Sequence, residues 1–160
     1  MISSLLIGAI SLATVFLFGC VGETIMEKAG HLNLGIPGIM CMGTAGGCLG
    51  AALFTNLCGG EPSYILLVLI SVVTAVVFAA AGGAIYGFLT VTLKCNQNIT
   101  GLAVTTFGVG LTQFLMDNII QKRAELKAAL FSAGSVMSTN LPFFKDLGWF
   151  GEVFLSYGIL

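Results

Sequence analysis

Two long stretches without a single charged residue, 2–22 and 36–57, are separated by a short polar segment, E-K-A-G-H-L-N-L-G-I-P-G at 27–38. A spanning helix needs about 20 mostly apolar residues. Two such runs therefore place the intervening backbone inside a bilayer or at its rim. In hydrocarbon every peptide group has to be satisfied, so unwound backbone at that depth survives only where protein or a wet cavity covers it. Glu23, Glu27, Lys28, His31 and Asn33 make this the densest polar cluster in the first sixty residues, and hence the first candidate for a site.

The rest of the chain follows the same pattern. Only 8% of its 160 residues are charged and 57% are hydrophobic, whereas soluble domains carry roughly 25% charged residues. Four apolar runs are long enough to span: about 2–22, 36–58, 64–93 and 99–120, and a fifth begins near Phe154. The expected fold is all-α, a polytopic transmembrane helical bundle of four full spans plus the start of a fifth, with a broken helix around 27–38. The first run lacks a charged leading region and a small-residue cleavage site, which points to a retained helix. A chain ending a few residues into a span reads as the N-terminal half of a longer or split protein.

Local signals refine these bounds. Gly19 and Gly22 weaken the end of the first run. Asn33 suits a helix cap and Pro37 a first helical turn, where no N–H is needed, so the second helix should begin near Ile36. Its amide-rich start carries partial positive charge, a feature that in transporters faces polar solute groups; an ordinary interfacial loop is the alternative. Gly43 with Gly47, and Gly46 with Gly50, form small-xxx-small pairs that let helices approach closely. Ala79, Gly83 and Gly87 mark a second such face. At ~1.5 Å per residue the 64–93 run is about 45 Å long, so it must tilt, kink or protrude. The 99–120 run is the most polar, with Thr100, Thr105, Thr106, Thr112 and Gln113; such residues face a bundle interior or a wet path, or bond back to their own helix. From 121 to 153 the chain reads as an extramembrane or interfacial segment. It opens with an amphipathic helix carrying Leu126, Leu130, Ala133 and Met137 and closes with an aromatic cluster, Phe143, Phe144, Trp149 and Phe150.

Several chemistries find no support. There is no phosphate-binding G-x-x-x-x-G-K-[ST] loop, no G-x-S-x-G and no H-E-x-x-H. The spacing of the five cysteines fits neither a redox pair nor a zinc site, so they read as packing residues. His31, the only histidine, has no partner that would make it a catalytic base. No metal, cofactor or enzymatic activity is expected, and no basic stripe points to nucleic acid.

Two blocks resemble a known family. E-K-A-G-H-L-N-L-G-I-P-G-I-M-C-M-G is similar to the signature of ABC transporter permeases of the simple-sugar, ribose and nucleoside group, which are branched-chain amino acid permease-like. Glu27, Gly30, Asn33, Gly35, Gly38, Met40 and Gly43 carry the match. N-Q-N-I-T-G-L-A-V-T-T-F-G-V-G-L resembles a second block through Asn96, Gln97, Gly101, Ala103, Thr106, Phe107, Gly108, Gly110 and Leu111. Pro37 departs from the pattern, standing where the family usually has Glu. The resemblance implies a multi-pass permease of the inner, cytoplasmic membrane that pairs with a second permease subunit in a homo- or heterodimer. It also implies ABC ATPase subunits and an extracytoplasmic substrate-binding protein as partners, besides membrane lipid. The solute would be a nucleoside or simple sugar. The expected substrate path is bordered by Asn33, Gly35, Gly38, Thr105, Thr106 and Gly108. Family topology puts the Lys94 turn inside, whereas a count of basic residues puts the 121–153 side there. A small oligomeric scaffold or pore protein, packed through its glycine faces, is the alternative.

Overall fold

The computed structural model describes residues 2–59 and 63–137. Five α-helices form in chain order: α1 (Ile2–Lys28), α2 (Ile36–Cys58), α3 (Tyr64–Gly87), α4 (Gln97–Leu115) and α5 (Ala124–Met137). Both α3 and α4 continue into a wider π-helical turn, Phe88–Thr92 and Met116–Gln121 respectively. Among the described residues four helical stretches are long and apolar enough to cross a membrane: Gly8–Lys28, Ile36–Cys58, Tyr64–Thr92 and Gln97–Gln121. The turn at 60–62, the aromatic cluster and the start of the fifth span lie outside the described residues.

Helix α2 is the hub, packing on α3, α4 and α5, whereas among the described residues α1 packs on no helix but α2. Four of its five glycines explain the contact with α3. A Cβ added at Gly43 would come 3.3 Å from Ala79 Cβ, and one at Gly47 would come 3.4 Å from Ala75 Cβ. At Gly46 it would strike Phe78, with Cγ 2.6 Å away, and at Gly50 it would strike Thr74. Partner numbers fall as α2 numbers rise, so the two helices run antiparallel with backbones close together. On α3 the glycine that meets α2 is Gly82, opposite Met42; Gly83 and Gly87 have nothing within 4 Å of an added Cβ. One residue rotates a helix by about 100°, which is enough to turn that pair away.

Helix α1 runs six residues beyond the expected end at 22. Gly19 is not a stop signal: its bare Cα seats the Met40 sulfur, 3.0 Å from where a Cβ would be. Glu23–Lys28 then supply ordinary helix formers up to a glycine end. Helix α5 buries Leu126, Ala129 and Ala133, and Ala133 packs with Ala51 and Leu67, flanked by Phe54, Leu130 and Val136. Large side chains such as Phe16, Phe18, Ile65, Val76 and Phe107 remain exposed, as befits a surface that meets lipid.

Candidate functional site

The unwound segment between α1 and α2 begins at a glycine with φ +84°, Gly30. The Gly30 N–H donates to Glu27 O at 2.9 Å and the His31 N–H to Met26 O at 3.0 Å. This pair of bonds is the Schellman arrangement, which satisfies the last carbonyls of a helix and needs a residue able to hold φ > 0. From there the chain runs extended through Asn33 and re-enters a helix at Ile36, with Gly35 as the N-cap and Pro37 in the first turn.

Three other elements grip this segment. Leu32 N–H donates to Gln97 Oε1 of α4 at 2.9 Å, and Leu32 O accepts from the Tyr86 hydroxyl of α3 at 2.7 Å. Asn33 N–H donates to Glu23 Oε1 of α1 at 3.0 Å. Leu34 O accepts from Thr105 Oγ1 of α4 at 2.7 Å. Asn33 is buried, with 6% exposed. Its Oδ1 accepts from Gly35 N–H at 2.9 Å, so this side chain closes a turn before α2 rather than capping the helix two residues in. Gln97 Nε2 also lies 3.1 Å from His31 Nδ1. The other oxygen of Glu23, Oε2, is buried and has no hydrogen-bond partner among the described residues.

Below these bonds, α2 and α4 meet backbone to backbone. A Cβ added at Gly101 would lie 2.9 Å from Gly35 N and from Leu34 N. One at Gly38 would overlie Thr105 Cα and Val104 O, and one at Gly108 would strike the Gly38 carbonyl. Of the expected path residues, the structure thus joins Asn33, Gly35, Gly38, Thr105 and Gly108 in a single seam. Thr106 stands apart: it is exposed and its hydroxyl donates to Leu102 O of its own helix at 3.0 Å. The seam admits no solute between its two backbones, so any passage runs along its flank.

Sequence reasoning did not single out Tyr86, Gln97 or Gly101 as site residues, and it named Glu23 only as part of the polar cluster around the break. Gln97 and Gly101 stood inside the second family-like block, and Glu23 was the first charge after an apolar run; Tyr86 carried no signal. A separate cleft of about 490 Å³ lies between α2, α3 and α5, lined by residues such as Gly47, Ala51, Ala75 and Ala133. It shares no residue with the break and offers few polar groups. Among the described residues no group of three or more His, Cys, Asp or Glu could hold a metal ion.

Residues 5–156 match the family model described as the branched-chain amino acid transport system / permease component. The provisionally named glucose ABC transporter permease protein TsgC13 of Haloferax volcanii is 35% identical over 120 residues, covering 75% of this chain and 33% of that protein. The guanosine ABC transporter permease protein NupQ of Bacillus subtilis is 22% identical over 144 residues, covering 90% of this chain and 42% of that protein. An uncharacterised Mycoplasma pneumoniae protein is 29% identical over 107 residues, covering 66% of this chain and 34% of that protein. The chain thus spans about a third to two fifths of the length of the relatives it matches. No solved structure matches. With the family model covering nearly all of its length and four stretches fit to span a bilayer, the chain belongs to the branched-chain amino acid transport system permease family and is a multi-pass protein of the inner membrane.

Proposed function

We propose that this chain is part of the permease of an ABC transporter that moves a simple sugar or a nucleoside. The observation that carries the reading is the unwound segment at 29–35, whose peptide groups are held by side chains of α1, α3 and α4. A bilayer protein keeps such backbone where it lines a cavity or is sheltered by neighbouring helices. The names of two relatives, a provisionally named glucose permease and a guanosine permease, support a polyhydroxylated solute. The path runs along the flank of the seam built from Asn33, Gly35, Gly38, Thr105 and Gly108, with the exposed Thr106 beside it. A second permease subunit, ABC ATPases and an extracytoplasmic binding protein complete the machine, and nucleotide-driven rocking opens the path to alternate sides. Permease subunits of this kind are not themselves enzymes.

Uptake of labelled glucose, ribose and guanosine by the complete transporter in proteoliposomes tests this. Uptake of at least one, dependent on ATP hydrolysis, is the expected result. Thr106→Val should then raise KM by about fivefold, the worth of one net hydrogen bond, with assembly intact. Solute flux that ignores ATP would refute the reading in favour of an oligomeric pore.

A further inference from the structure

His31, the chain's only histidine, and Gln97, the first residue of α4, meet across the break, and the sense of their hydrogen bond is fixed by a third group. The Leu32 N–H can only donate, so the Gln97 atom 2.9 Å from it is Oε1. The other end of the amide is therefore Nε2, which also can only donate, and it lies 3.1 Å from His31 Nδ1. Nδ1 must then present its lone pair, and the ring's single proton sits on Nε2. A second proton on the ring would place an N–H at Nδ1 facing the amide N–H. Turning the amide over would serve the ring but point its NH₂ at the Leu32 N–H. One glutamine cannot satisfy both.

We propose that Gln97 is a positioning residue that ties the unwound segment to α4 only while His31 is uncharged, so that a proton on His31 loosens the break. This rests on the reading of 29–35 as the segment beside the solute path and adds a regulation of that site. The titratable and charged groups on the surrounding elements are Cys20, Glu23, Glu27 and Lys28 of α1, Cys41, Cys48 and Cys58 of α2, Tyr64 and Tyr86 of α3, and Lys94 and Cys95 in the turn before α4. Glu23 is engaged with Asn33 N–H and Tyr86 with Leu32 O, and among the described residues only Gln97 bonds to the imidazole. The Glu23 and Tyr86 contacts do not depend on the Gln97 amide. Protonation therefore releases the one α4 tie at Leu32 and leaves the Glu23, Tyr86 and Thr105 bonds attached.

The test follows the intact chain in lipid nanodiscs, isotope-labelled at histidine and carried without a histidine tag. The ring is titrated by nuclear magnetic resonance, and amide exchange of 29–35, normalised to intrinsic rates, is measured at the same pH values between about pH 5 and 8. In the unsubstituted protein, protection at Leu32 should fall by about threefold to tenfold as the ring protonates, the worth of one net hydrogen bond. Gln97→Glu supplies a carboxylate that accepts from Leu32 N–H and from a protonated Nδ1 together. Protection should then persist on acidification, and the ring's titration midpoint should rise by about one pH unit or more relative to the unsubstituted chain. Protection that ignores ring protonation, or a midpoint unmoved by Gln97→Glu, would overturn the proposal. Neither readout needs solute movement, so a failed uptake assay with these results intact would count against the permease reading alone.

Discussion

Gly108→Ala is the most demanding perturbation of the α2–α4 seam, because what its new methyl meets is backbone. An added Cβ there lies 2.6 Å from Gly38 C and 2.8 Å from Gly38 Cα, against an ordinary contact of 3.4–4 Å. No rotamer can move a peptide plane aside, and the Gly38 carbonyl oxygen lies nearer still, so α2 and α4 must part by at least about 0.8 Å at this point, the gap between 2.6 and 3.4 Å. If that separation is carried up the seam, the Thr105 bond to Leu34 O stretches from 2.7 Å towards about 3.5 Å, the outer limit of a hydrogen bond. Overpacking a tight interface costs about 1–3 kcal/mol, and a lost net hydrogen bond adds about 1 kcal/mol. The expected total is about 2–4 kcal/mol. Thermal melting of the detergent-solubilised protein, followed by size-exclusion chromatography, measures it. Gly110→Ala is the matched control on the same helix, since nothing lies within 4 Å of its added Cβ; there the change should be neutral or slightly stabilising, since alanine is the better helix former. Equal melting temperatures for the two variants would refute the backbone-to-backbone packing.

Two further substitutions probe the frame around the break. Asn96→Ala removes the side chain that accepts from Asn98 N–H and Ile99 N–H at the start of α4; the expected loss is about 0.5–2 kcal/mol, read as a lower melting temperature. Tyr86→Phe deletes the donor to Leu32 O while keeping the ring in its buried slot. It should cost about 1 kcal/mol in the same melt and speed proteolysis within 29–35, an effect that Tyr64→Phe, at the far end of α3, should not reproduce.

The spans were legible because lipid imposes a simple length and polarity rule, and Pro37 marked the start of α2 through its missing N–H. The position of the break was legible for the same reason: glycines and polar residues sit between two apolar runs. Its upstream edge was not. Gly19 looks the same in sequence whether it ends a helix or makes room for Met40, and only the packed partner decides. The same ambiguity separated Gly82 from Gly83, since both fit a small-residue repeat and one residue of rotation selects which meets α2. Least legible were the bonds that hold the break. Tyr86 and Leu32 lie 54 residues apart, and Thr105 and Leu34 lie 71 apart. Nothing in a hydroxyl's local sequence tells whether it turns to its own helix, as Thr106 does, or across to another chain segment, as its neighbour Thr105 does.

Leu32 is pinned through the two peptide groups that flank its Cα, the 32–33 carbonyl to α3 through Tyr86 and the 31–32 amide to α4 through Gln97. It behaves as a crossbar between two long rods. If α3 slides along α4, the two planes must turn against each other or one pin must slip, so shear between these rods is converted into rotation about the φ and ψ bonds of Leu32. A carbon-isotope label on that carbonyl would let infrared spectroscopy register the swivel directly.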